Sequence, residues 1–185
     1  MGFHTYDVGN ADALDDPSRF RFLSVEELLS LFDPHGTIAD LGSGTGFYTD
    51  EIAPHAETVY AVDVQPAMHD RYRQKGVSEN VDLVTAGIDD LPFEDGALTG
   101  AFSTMTFHEF VSEAALTELA RVVAPGGTVG IADWSRNGAG TEGPPTSERY
   151  SLADARQAFT ENGFTIGYTD ERYETFVLGA QRTDS

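Results

Sequence analysis

The stretch Thr37-Ile38-Ala39-Asp40-Leu41-Gly42-Ser43-Gly44-Thr45-Gly46 constrains this chain more than any other. A short apolar run ends in an acid and opens into a Gly-x-Gly-x-Gly loop. Phe47-Tyr48-Thr49-Asp50-Glu51-Ile52-Ala53 then follows with helical spacing. That order predicts a strand, a tight turn and a helix start, the unit on which α/β proteins place a nucleotide-like ligand. Glycines suit it because the backbone must turn with positive φ and approach a ligand with no Cβ in the way. The first amides of the helix lack intrahelical partners and are available to a carboxylate or phosphate.

The details of the loop narrow the choice. A dinucleotide fingerprint needs its third glycine at position 47, where this chain has Phe47 and sets Gly46 one place earlier. The phosphate-gripping P-loop ends in Gly-Lys-Ser/Thr, and no lysine lies near this loop. A strand–turn–helix without a ligand also satisfies the local pattern, so the rest of the chain has to decide.

Before the loop, residues 1–23 are polar and aromatic without a clear period, and form either a lid over the ligand or an arm packed on the sheet. Arg19 and Arg21 in this arm can meet a ligand carboxylate or form surface ion pairs. Ser24-Val25-Glu26-Glu27 is a capping box that opens a short amphipathic helix. After the loop, Thr58-Val59-Tyr60-Ala61-Val62-Asp63 reads as a second strand ending in an acid. Asp63 lies about twenty residues beyond the glycines, the separation at which a carboxylate can grip ribose hydroxyls. Its other reading is a cap for the helix that starts near Pro66 and ends at Gly76. The cations Arg71, Arg73 and Lys75 of that helix complement its dipole.

Val81–Thr85 predicts a third strand. The loop after it places Ile88 and Asp89 where an apolar residue and an acid can meet an adenine; an acidic surface turn is the alternative. Leu98–Ser103, interrupted by Gly100, is a fourth strand, with Thr104 to Glu109 at its carboxyl end. A helix over 112–123, a turn at Ala124-Pro125-Gly126-Gly127 and a strand over Thr128–Asp133 follow. The Gly- and Pro-rich loop 134–150 is long enough to frame a pocket. A capped helix from Ser151 to Asn162 and strands over 164–168 and 173–180, joined by a short acidic turn, complete the chain.

The 185 residues carry 31 acidic against 11 basic side chains, a net charge of −20 with Lys75 as the single lysine. Such a field repels phosphate backbones and argues against a nucleic-acid substrate. At about 1 M salt the Debye length falls to roughly 3 Å and the self-repulsion is screened, so the composition points to a halophilic, cytoplasmic protein. The absence of cysteine excludes disulfides and thiolate metal sites, and the five histidines show no metal-ligand spacing. No apolar run has the length of a membrane span, no signal-peptide pattern begins the chain, and the length suits one domain over 1–185. Oligomeric state is not legible.

From about residue 24 onward the chain resembles the class I S-adenosylmethionine (SAM)-dependent methyltransferases, in particular the type 11 group that includes ubiquinone/menaquinone-biosynthesis enzymes. The matching residues are Asp40–Gly46, Val62-Asp63, Asp90-Leu91-Pro92-Phe93, Phe107-His108-Glu109, Arg121–Gly127 and Asn162-Gly163-Phe164. The resemblance implies an α/β Rossmann-like fold: a seven-stranded, mostly parallel sheet with an antiparallel last strand and helices on both faces. It implies SAM as cofactor, with Asp40, Gly42, Gly44 and Gly46 against the methionine part and Asp63 on the ribose. Ile88 and Asp89 then approach the adenine, and Thr104 offers backbone contacts near the amino group. One departure is Gly87-Ile88, where relatives often carry an acid followed by alanine.

The implied activity is in-line methyl transfer to a small-molecule acceptor. Alignment can supply roughly 7–11 kcal/mol of the barrier, and a base is needed only if the acceptor must lose a proton. His108, His4, Tyr6 and Asp133 are candidates, with His108 best placed; its other reading is a structural histidine. Trp134 either walls an apolar acceptor or belongs to the core. Two rival functions are a SAM-binding partner protein without turnover and a nicotinamide-dependent oxidoreductase, the second opposed by Phe47.

Overall fold

The computed structural model describes residues 6–183, so His4 lies outside the described residues. Seven strands form one sheet in the order β3-β2-β1-β4-β5-β7-β6. The strands are β1 (Thr37–Leu41), β2 (Thr58–Asp63), β3 (Val81–Thr85), β4 (Leu98–Thr104), β5 (Val123–Trp134), β6 (Phe164–Glu171) and β7 (Thr175–Arg182). β1 to β5 pair in parallel, and β7 runs antiparallel to both neighbours, β5 and β6. The expected fold class is therefore present, including the reversed last strand.

Among the described residues six α-helices cover the sheet: α1 (Val25–Phe32), α2 (Phe47–Ile52), α3 (Pro66–Lys75), α4 (Phe107–Phe110), α5 (Glu113–Val122) and α6 (Leu152–Glu161). Two apolar layers hold them. Leu28, Leu31, Phe32, Ile52 and Tyr72 of α1–α3 join Ile38, Val59 and Ala61 on one side. Leu116, Leu119 and Phe159 of α5 and α6 join Ala39, Leu41, Val129 and Ile131 in the other. The two-residue period of β1 sets the next step: Ala39 and Leu41 face one layer, while Ile38 and Asp40 face the other. That alternation buries Asp40 beneath α2.

β4 is central despite its poor propensity. Phe32 of α1 stacks on Phe102 at 5.2 Å and reaches across the bare backbone of β5, where a Cβ on Gly130 would lie 3.0 Å from its ring. Tertiary packing outweighs propensity here.

Two expectations need correction. Ala124–Gly127 is not a turn between elements. It is an excursion inside β5, which pairs Val123 with Leu98 and Thr128 with Gly100. The chain loops out because Gly126 adopts φ 77° and Pro125 has no amide to offer the ladder. The closing hairpin also sits later than expected: Asp170 and Glu171 belong to β6, and residues 172–174 make the connection. The arm, for which no period was expected, forms two 3₁₀ segments, Val8–Asp15 and Pro17–Arg21, capped by Asp7 and Asp16. No helix among the described residues is long and apolar enough to cross a membrane.

Candidate functional site

The strand order reverses between β1 and β4, and open α/β sheets place ligands at the carboxyl ends of the strands at such a point. A cleft of about 1350 Å³ opens there. Gly42, Gly44, Asp63, Ile88, Asp89, Thr104 and His108 line it, bringing together most of the residues singled out above.

The loop after β1 folds over the end of β2. The amides of Gly42 and Ser43 donate to the Val62 carbonyl at 2.8 and 2.9 Å, and the Gly44 amide donates to Asp63 Oδ2 at 2.9 Å. Asp63 Oδ1 accepts from the Gln65 amide at 2.8 Å, so the carboxylate also braces the entry to α3. Those two amides orient the carboxylate, and the remaining lone pairs of each oxygen are left for further donors.

The three glycines differ in role. A Cβ on Gly44 would meet only Leu14, at 3.4 Å, so this face of the loop is open. A Cβ on Gly42 would lie 2.3 Å from Thr106, and one on Gly46 would lie 2.2 Å from the Tyr72 ring. Gly46, at φ 81°, is the N-cap of α2 and does not line the cleft. Its missing side chain makes room for Tyr72, whose hydroxyl donates to Asp50 at 2.5 Å.

Asp40 does not line the cleft either; it is buried one layer below. Thr49 Oγ1 donates to Asp40 Oδ2 at 2.6 Å, whereas Oδ1 has no partner. Burial pushes its carboxyl up to about 7; the Thr49 hydrogen bond opposes this, and the nearby Asp63 charge adds to it. Ser43 Oγ is also buried without a partner.

At the other end of the cleft, His108 on α4 meets Asp133 at the tip of β5. Nδ1 lies 3.0 Å from each carboxylate oxygen, and Asp133, fully buried, also accepts from the His108 and Trp134 amides at 2.6 and 2.8 Å. Burial pulls the imidazole down, but the hydrogen bond and charge of Asp133, with Glu109 and Glu148, outweigh it and leave its pKa raised. Glu109 is pushed up to about 7 by burial, with Asp133 and Asp63 adding and His108 opposing. Met105, between β4 and α4, takes a left-handed φ of 58° beside the cleft, a strained conformation typical of functional sites.

The arm and the long loop wall the cleft. Leu14, Arg19 and Phe22 of the arm and Trp134, Pro144 and Tyr150 of the long loop line it. Asp15 accepts from Thr45 Oγ1 at 2.9 Å and Lys75 at 3.0 Å, and Arg71 pairs with Asp12 at 3.0 Å, so part of the α3 cation cluster tethers the arm. Arg21 pairs with Glu142 across the cleft mouth. Trp134 meets Phe22 edge-on at 4.8 Å and lines the cleft.

Sequence reasoning missed the buried pair that shapes the long loop. Arg149 donates to Glu174 Oε2 at 3.1 Å and to the carbonyls of Ser135, Pro144 and Glu142. Glu174 also accepts from the amides of Gly140 and Thr141. The signal available was only a loop arginine followed by a lone glutamate, with no local pattern joining them.

The fold and cleft are those of a Rossmann-like α/β protein, and the known proteins this chain is similar to give its class. The family described as "Methyltransferase domain" matches residues 39–131. A crystallised SAM-dependent methyltransferase from Aquifex aeolicus is similar at 29% identity and a TM-score of 0.86, over 96% of this chain and 99% of that one. A methyltransferase-like protein of Schizosaccharomyces pombe is 37% identical over 55% of this chain and 39% of its own length. The demethylmenaquinone methyltransferase of Mycolicibacterium gilvum is 32% identical over 70% of this chain and 55% of its own. The chain thus spans about half or less of these two curated relatives. It belongs to the methyltransferase-domain family, an enzyme class whose cofactor is SAM.

Proposed function

We propose that this protein transfers the methyl group of SAM to a small-molecule acceptor, with the cofactor seated on the loop after β1. The carrying observation is that two buried side-chain oxygens without partners, Asp40 Oδ1 and Ser43 Oγ, belong to this loop and the strand beneath it. An unpaired buried oxygen is costly, so it marks a place where a ligand group or an ordered water completes the bonding. The cofactor supplies an activated methyl on a sulfonium and a cationic amino group. Asp40, one layer below, attracts that ammonium through an ordered water, and Ser43 offers a further polar contact.

Gly44 lets the main chain approach the methionine part, and Asp63, held by two amides, receives the ribose hydroxyls. Ile88 packs on the adenine face, Asp89 accepts from its exocyclic amine, and Thr104 contributes its carbonyl near the amino group. The cleft, at about 1350 Å³, exceeds the roughly 300–1,000 Å³ usual for one small ligand, which supports a cofactor and a small acceptor together.

Asp63→Ala tests the seat. Titration calorimetry with S-adenosylhomocysteine should show binding weakened by about 1–3 kcal/mol, the worth of charge-assisted hydrogen bonds. Equal affinity for variant and wild type contradicts the ribose role.

We also infer a cytoplasm rich in salt as the working environment, from the net charge of −20 and the single lysine. The melting temperature should climb steeply from low salt to molar KCl as screening relieves self-repulsion. A melting temperature independent of salt contradicts it.

A further inference from the structure

We propose that His108 is the general base of the transfer and that the acceptor is an apolar hydroxyl compound. The inference rests on the methyl-transfer reading above and names the substrate class of that same cleft.

The geometry separates a working histidine from a structural one. Asp133 collects the His108 amide, the Trp134 amide and imidazole Nδ1 on one buried carboxylate. That arrangement places the proton on Nδ1 and leaves the Nε2 lone pair unshared, the logic by which a buried acid orients a catalytic imidazole. Nε2 has no hydrogen-bond partner among the described residues; the carboxylate of Glu109 is 3.9 Å away. His108 lines the cleft. His69 offers the contrast: its Nδ1 meets Thr85 Oγ1 at 3.1 Å, its Nε2 is buried, and it lines no part of the cleft.

The surroundings select the acceptor. Among the cleft's lining residues are the apolar Phe110 and Val111, which follow His108 in the chain, and Trp134, which follows Asp133 and touches Phe22. A thiolate or other anionic nucleophile needs no base, and a buried Asp133 beside Glu109 and Glu148 disfavours an anion arriving there. A neutral hydroxyl suits both features. Its O–H proton passes to Nε2 while its oxygen forms the bond to the methyl carbon. The carbon–sulfur bond breaks with its electron pair remaining on sulfur. The products are a methyl ether, neutral S-adenosylhomocysteine and an imidazolium held by Asp133.

Wild type and His108→Asn are compared in three measurements. Calorimetry with S-adenosylhomocysteine should give unchanged affinity; no binding by either protein defeats the methyl-transfer reading itself. A panel of phenols and apolar alcohols, set against thiols, arsenite and carboxylates, should yield methylation of a hydroxyl member. The variant should lose about 10²–10⁴-fold in kcat on it.

The wild-type rate should rise with pH through the His108 pKa, and NMR titration of the imidazole should share that midpoint. Asp133, Glu109 and Glu148 are the charges that face it, so Glu109→Gln should move both to lower pH. Methylation of only the thiols, arsenite or carboxylates, or of no hydroxyl by protein that binds the cofactor product, overturns the proposal. So does an Asn variant with undiminished kcat and the same pH limb.

Discussion

Gly46→Ala should lower the stability of the free protein by about 2–5 kcal/mol, combining left-handed strain of about 1–2 with overpacking of about 1–3. The new Cβ would lie 2.2 Å from Tyr72 Cζ, and Tyr72 is fully buried with its hydroxyl tied to Asp50. The ring has no free direction in which to move. Gly126→Ala is the matched control, because Gly126 has a similar φ of 77° but nothing within 4 Å of its new methyl. It should cost only about 1–2 kcal/mol, the backbone share alone. Urea unfolding of the two variants measures the difference. Equal losses would show that Gly46 is needed only for its backbone angle. Against a total stability of about 5–15 kcal/mol, the larger loss can unfold the protein outright.

Asp40→Asn should act in opposite senses on the free and liganded protein. In the free protein burial holds the Asp40 carboxyl at about 7, above its ordinary value of 3.8. A folded pKa above the unfolded one contributes stability that is fully present below the unfolded value and is lost as pH rises through the folded one. The free wild type therefore loses this contribution between about pH 4 and 7, and the neutral amide variant does not. At pH 8 the variant should be the more stable of the two.

Ligand binding reverses the order. The cofactor's ammonium favours the ionised carboxylate, so wild-type affinity for S-adenosylhomocysteine should tighten from pH 5 through 7, with proton release. The variant should bind more weakly by about 1.5–3 kcal/mol and lack that pH dependence. Thermal unfolding and calorimetry across pH 5–8 read both effects. A pH-independent wild-type affinity equal to the variant's would remove Asp40 from the account.

What the sequence disclosed follows from how local the cause is. β1, β2 and β3 lie at the expected residues because each is a short apolar run ended by a turn signal. The capping boxes at Ser24 and Ser151 likewise needed only neighbours three residues on. Asp63 was legible through its spacing from the glycines, which the parallel pairing of β1 with β2 turns into contact. The packing at Gly46 was not legible, because a glycine's sequence position does not say what lies across it; Tyr72 does, from another helix. The Asp133 partner that gives His108 its orientation lies on a different strand and becomes adjacent only through the sheet order. Arg149 and Glu174 meet because β7 returns antiparallel beside β5, a consequence of topology rather than of pattern.

The most direct measurement is a crystal structure of the protein with S-adenosylhomocysteine. The account predicts the ribose hydroxyls on the Asp63 carboxylate, the amino acid end against Gly44 above Asp40, and the sulfur directed into the space before His108. An adenosyl group bound anywhere else in the cleft, or a ribose that leaves Asp63 bonded only to Gly44 and Gln65, contradicts it.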